Sequence, residues 1–116
     1  MSDAKTTVAE LRAIVRNFVE ERDWEQFHAP KNLAMSLAIE AAELMEHFQW
    51  ISTEKSREIA ADPVQLAEVS EELADVLCYA LAMANQLNIE LSTAIRSKMI
   101  KNEKKYPAEE FRGRAR

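Results

Sequence analysis

The chain has 116 residues, 47% hydrophobic and 30% charged, a globular rather than disordered composition with room for a single core, so one domain over 1–116 is expected. One Gly and three Pro leave few turn positions, which argues against a sheet of short strands and for long helices. A single cysteine excludes an intrachain disulfide, and with only two His it makes zinc and iron–sulfur centres poor readings.

The net charge of −5 is uneven. Residues Arg96 to Arg116 hold 8 of the 15 basic side chains and 3 of the 20 acids. Such a split fits a basic tail for nucleic acid, or a cationic strip facing an anionic ligand while the acidic remainder holds metal. The start, MSDAKTTVAELR, has no apolar stretch, so no signal peptide and a cytoplasmic location are expected.

In chain order, Thr7-Val-Ala-Glu10 has the form of a capping box, and Val8, Leu11, Ile14, Val15, Phe18 and Val19 follow at helical spacing. This first helix should fade near Glu21–Asp23. Pro30 marks a connection, and a second helix is expected over about 32–50. Its sequence, LAMSLAIEAAELMEHFQW, is apolar on nearly every face. At this length it could reach across a bilayer, but its carboxylates oppose that, so burial in protein is the expectation.

A minor helix is expected near Glu54–Ala60. Asp62-Pro63 reads as an N-cap followed by proline at the first helical position, opening a long third helix from about Val64 to Leu87. Its second half, LADVLCYALAMA, is again apolar all round, and Cys78 within it is expected to be a buried, inert thiol. Asn88 is a plausible stop. A fourth helix over about Leu91–Lys105 ends at Tyr106-Pro107, and 107–116 should form a loose basic tail. The fold class is all-α, a four-helix bundle protomer. Two helices without a polar face cannot both be covered in so short a chain, so assembly into a dimer or tetramer is expected.

Two segments share one pattern, Glu40-Ala-Ala-Glu43 and Glu72-Leu-Ala-Asp75. Residues three apart on a helix project from one face, so each pair presents its oxygens together. Carboxylates in apolar sequence need compensation, and four of them on two helices suit a hard, oxygen-seeking ion such as Mg²⁺ or Mn²⁺. Glu68 and Glu71, by contrast, read as an ordinary solvated face. Trp24, Phe27 and His28 lie in the connection after the first helix, and Phe48 and Trp50 end the second. Tryptophans at element ends commonly anchor packing, but their indole faces also suit a base-stacking slot. Lys98, Lys101, Lys104 and Lys105 form either a solvated face or a set of phosphate-binding charges.

Together these elements resemble the all-α nucleoside triphosphate pyrophosphohydrolases of the MazG-like superfamily, which carry E-x-x-E on one helix and E-x-x-D on another. ERDWEQFHAPKNL, EAAEL with FQW, EELADVL and KMIKNEKKYP resemble the dCTP pyrophosphatase branch in order and spacing. The resemblance implies Mg²⁺ held by Glu40, Glu43, Glu72 and Asp75. The crowding of these carboxylates, which should push at least one pKa upward, makes one of them, with Glu43 the choice, the expected base. The resemblance also implies a nucleotide bound by Trp24, His28, Trp50, Tyr79, Lys98, Asn102 and Tyr106. It implies a homotetramer built from dimers and a housecleaning role on dCTP or a related pyrimidine nucleotide, without nucleic-acid or membrane partners. Val15 stands where some members place a base-contacting histidine, which leaves the base preference open. An all-α dUTPase-like hydrolase and a non-catalytic helical interaction module are the alternatives. A di-iron bundle fits poorly, since it needs two Glu-x-x-His pairs and the chain has one, Glu25 to His28.

Overall fold

The first helix, α1, covers Val8–Glu21 and is started by Thr7, whose Oγ1 accepts the Glu10 N–H at 3.1 Å. A 3₁₀ turn at Glu25–Phe27 then leads into α2, Pro30–Glu46. These elements belong to a computed structural model that describes residues 1–114. The short α3, Thr53–Arg57, and a second 3₁₀ turn at Ile59–Ala61 connect to the long α4, Pro63–Leu87. After α4 come α5, Leu91–Lys105, and α6, Ala108–Phe111. Among the described residues the chain is all-α, with no strand.

The ends of α4 are set locally. Asp62 Oδ1 accepts from the Val64 and Gln65 N–H groups at 3.1 and 3.2 Å, with Pro63 placed where its missing N–H costs nothing. Asn88 closes the helix in the left-handed conformation at φ 52°. Pro30, expected as part of a connection, instead opens α2 at its first turn for the same reason as Pro63. At the other end α2 stops at Glu46 rather than Trp50, because the chain tightens to three-residue bonds from His47 N–H to Leu44 O and Phe48 N–H to Met45 O.

Helices α2 and α4 lie along each other, and α1 packs on α4 over a smaller area. The buried set is small: Val19, Leu33, Ile59, Leu81, Ala82 and Ala84. Arg12 and Asn85 lock α1 to the C-terminal part of α4. Asn85 Oδ1 accepts from Arg12 Nε and from an Arg16 guanidinium nitrogen, each at 3.1 Å, and Asn85 Nδ2 donates to Arg12 O at 3.1 Å. The Arg12 guanidinium also reaches Ala84 O and Ile89 O, filling carbonyls at the end of α4.

The full burial expected for α2 does not hold in the single chain, where only Leu33 of this helix is buried. Met35, Ile39 and Met45 on α2 and Leu66, Leu73 and Leu77 on α4 all face outward. Part of the expected loose tail is ordered: Phe111 of α6 meets the Tyr106 ring edge-on at 5.2 Å, and Pro107 O accepts from Glu110 and Phe111. Residues 115 and 116 of that tail lie outside the described residues. No described helix is long and apolar enough to cross a membrane.

Candidate functional site

The long overlap of α2 and α4 brings the two acidic pairs face to face. Carboxylate oxygens of Glu40, Glu43 and Glu72 all lie within 4.8 Å of one another. Glu40 and Glu72 each bury one Oε2 that has no hydrogen-bond partner. Burial and the nearby Glu43 carboxylate push the Glu40 pKa up to about 7, with Asp75 and Glu72 adding to the shift. Glu72 is raised by burial, then by Glu43 and Asp75. Unpartnered carboxylate oxygens crowded by like charge are costly unless a cation sits among them. The oxygen-only donor set and its two orphaned atoms fit a hard divalent ion such as Mg²⁺ or Mn²⁺.

Asp75 is placed differently from its three expected companions. It is exposed and stands outside the tight trio, although its charge is felt by Glu40 and Glu72. Its side chain borders an adjoining cavity of about 360 Å³ between α1, the 24–28 connection and α4. Ile14, Val15, Phe18 and Trp24 form one side of this slot, and Cys78, Tyr79 and Ala82 form the other. Phe18 meets the Trp24 ring edge-on at 5.6 Å, and the Arg22 guanidinium covers the Phe18 ring at 3.7 Å, so the indole is held by its neighbours. An apolar, aromatic-walled slot with a carboxylate at one end suits a flat ring attached to a metal-binding polyanion.

Trp24, His28 and Tyr79 line this slot, so the structure brings three of the expected substrate-binding residues to one place. Trp50 is 87% exposed and does not line the slot. Lys98, Asn102 and Tyr106 lie on α5 or at its end, and α5 buries no residue and does not lie along α1, α2 or α4. None of these four residues lines the slot.

Cys78 corrects the expectation of a buried thiol: it is exposed and faces the slot. The apolar run that holds it borders an open crevice rather than a closed core. Partial burial and the Asp75 carboxylate still push its thiol pKa up, so it is not an activated nucleophile. Ile14, Phe18 and Val19, read from the sequence only as a helix face, also line the slot. Their three- and four-residue spacing was the available signal, but it does not separate a core face from a cavity wall.

The fold and site define an all-α protein with a carboxylate centre between two paired helices and an aromatic slot beside it. The MazG-like family model matches residues 35–116, and the chain belongs to this family. It is 42% identical over 109 residues to dCTP pyrophosphatase 1 of Rattus norvegicus, covering 94% of this chain and 64% of the relative. It is 40% identical over 110 residues to dCTP pyrophosphatase 1 of Homo sapiens, covering 95% of this chain and 65% of the relative. The chain thus spans slightly less than two thirds of the length of these mammalian relatives. The crystal structure of a pyrophosphatase from Archaeoglobus fulgidus DSM 4304 superposes with a TM-score of 0.81 at 42% identity, covering 92% of this chain and 98% of that one.

Proposed function

We propose that this chain is a Mg²⁺-dependent nucleoside triphosphate pyrophosphohydrolase, a single functional unit over its length, converting dCTP or a related or modified pyrimidine nucleotide to its monophosphate and pyrophosphate. The observation that carries this reading is the pair of orphaned carboxylate oxygens, Glu40 Oε2 and Glu72 Oε2, beside an aromatic slot. The mammalian dCTP pyrophosphatases and the archaeal pyrophosphatase support the same chemistry.

Glu40, Glu43 and Glu72 would hold the metal, with Asp75 completing the set on the slot side. The metal would supply charge neutralisation for the triphosphate oxygens, the main requirement of phosphoryl transfer. Trp24 and Tyr79 would hold the base, with His28 at the slot edge. Val15 in the slot wall offers the base no hydrogen bond, so the slot holds the base by shape and stacking. Glu43 is the neighbouring acid that most raises both Glu40 and Glu72, and it is assigned as the base towards the attacking water.

The assembly belongs to this reading. The radius of gyration is 17.1 Å, well above the ~13 Å of a compact 100-residue chain. Outward-facing Ile39, Leu73 and Leu77 and an α5 that buries no residue support a homotetramer built from dimers. Such an assembly is also what could bring Trp50, Lys98, Asn102 and Tyr106 to a nucleotide. The enzyme would clear non-canonical nucleotides from a cytoplasmic pool.

A panel of triphosphates with Mg²⁺, its products separated, tests the proposal. Monophosphate and pyrophosphate from wild type, and neither from Glu40→Ala or Asp75→Ala, is the expected result. No turnover of any triphosphate would overturn it and favour a non-catalytic interaction module.

A further inference from the structure

The carboxylate cluster is part of a longer antiparallel ladder between α2 and α4. Glu43 stands near Glu72, and one turn further along His47 Nδ1 faces Glu68 Oε2 at 3.9 Å. Glu40, Glu43 and His47 are spaced i, i+3, i+7, and Glu68, Glu72 and Asp75 are spaced i, i+4, i+7, so each set shares one helix face. His47 keeps the helical phase of α2, at φ −68° and ψ −17°. Its side chain is 27% exposed and that of Glu68 is 58% exposed, so the imidazole is largely covered while its carboxylate partner is open. A positive charge on His47 favours ionised Glu72, a sign that the ring lies close to the cluster.

The groove therefore has a direction. Along α4 the aromatic slot occupies Asp75, Cys78, Tyr79 and Ala82, on the C-terminal side of Glu72. His47 and Glu68 stand on the opposite side, with Glu68 about 6 Å along the helix from Glu72 at 1.5 Å per residue. A nucleotide with its base in the slot and its inner phosphates at the carboxylates can extend its outer phosphates along this line towards His47. Lys55, one of the two basic side chains of α3 with Arg57, is paired with Glu58 at 3.3 Å.

We infer that His47, oriented by Glu68, is a binding residue for the outer phosphates of the substrate and for the pyrophosphate that leaves. The inference rests on the pyrophosphohydrolase reading above and adds the polarity of the bound substrate. With Nδ1 facing the Glu68 carboxylate, the imidazolium form has an Nε2–H left to donate to a phosphate oxygen, whereas the neutral Nδ1–H tautomer does not. The nitrogen left to face the groove is then Nε2. Glu68 is a positioning residue in this scheme and touches no phosphate.

Inhibition of dCTP hydrolysis by each product separates this role from a merely structural one. His47→Leu should weaken inhibition by pyrophosphate about ten-fold, the loss of one charge-assisted hydrogen bond, and raise KM for the triphosphate similarly. Inhibition by dCMP should stay unchanged, since dCMP occupies the slot side alone. His47→Gln, whose amide can still donate, should recover part of the pyrophosphate affinity, and Glu68→Gln should lose less than His47→Leu. If a turning-over His47 variant bound pyrophosphate as wild type does, or lost both products equally, the role of His47 would be wrong and the pyrophosphohydrolase reading would stand. If wild type hydrolysed no triphosphate, that reading would fail and this one with it.

Discussion

Glu40 and Glu72, on facing helices, each hold one carboxylate oxygen out of solvent without a hydrogen-bond partner. This arrangement stores unfavourable electrostatic energy in the metal-free protein, and its pH dependence has a definite sign. Glu40 is raised from 4.5 to about 7 in the folded chain, and Glu72 is raised too, so the folded state binds more protons than the unfolded one between these values. Their contribution is therefore most favourable below about pH 4.5, the ordinary glutamate range, and is lost as pH rises through about 7. For this pair, metal-free protein should have a lower Tm at pH 8 than at pH 5.5, and Mg²⁺ or Mn²⁺ should restore it chiefly at the higher pH. Glu40→Gln should raise the metal-free Tm at pH 8 and abolish the metal-induced shift. Calorimetry with and without chelator reads both.

Trp24 is the aromatic wall of the slot and is held in place by Phe18. Base–aromatic stacking contributes about 1–3 kcal/mol by alanine substitution. Trp24→Ala should accordingly raise KM for the nucleotide by about ten-fold or more, with a smaller change in kcat, while Trp24→Phe should retain most of the affinity. Steady-state kinetics on dCTP make the comparison.

Asn85 is the point at which α1 is fastened to α4, because its amide oxygen takes two guanidinium hydrogen bonds. Asn85→Ala should cost about 2 kcal/mol of stability, as expected for hydrogen bonds to charged groups. It should also raise KM, since α1 carries Ile14, Val15 and Phe18 of the slot. Urea denaturation gives the first quantity and kinetics the second.

Leu73 and Leu77 sit one turn apart on the outward face of α4, each about half exposed. A charge placed there should be harmless in a monomer and disruptive at a dimer interface. Leu73→Glu with Leu77→Lys should reduce the mass measured by light scattering to that of a smaller species and lower Tm. An unchanged mass would place the interface elsewhere.

Much of this was legible because it is local. The Thr7 cap, the Asp62-Pro63 start and the Asn88 stop involve neighbours in sequence, and the bounds of α5 coincide with the expected Leu91–Lys105. The two acidic pairs were legible for the same reason, as i, i+3 spacing puts their oxygens on one face. The Arg12–Asn85 lock joins residues 73 positions apart and leaves no local signal. His47 is similar: its spacing from Glu43 was visible, and Glu68 is the exposed acid its spacing suggested, but their approach to one another needed the pairing of α2 and α4. The openness of Cys78 was hidden because an apolar run looks alike whether it lines a core or a cavity. The order of α6 depends on the Tyr106–Phe111 ring contact, which composition does not report.

The proposed chemistry requires that a divalent ion at the carboxylate cluster be present for a nucleotide to be cut between its inner two phosphates. The most direct measurement is phosphorus NMR of dCTP incubated with chelator-stripped protein, before and after Mg²⁺ is added. No turnover is expected before addition, and dCMP with pyrophosphate after it. Turnover in the presence of chelator, or dCDP with inorganic phosphate as products, would contradict it.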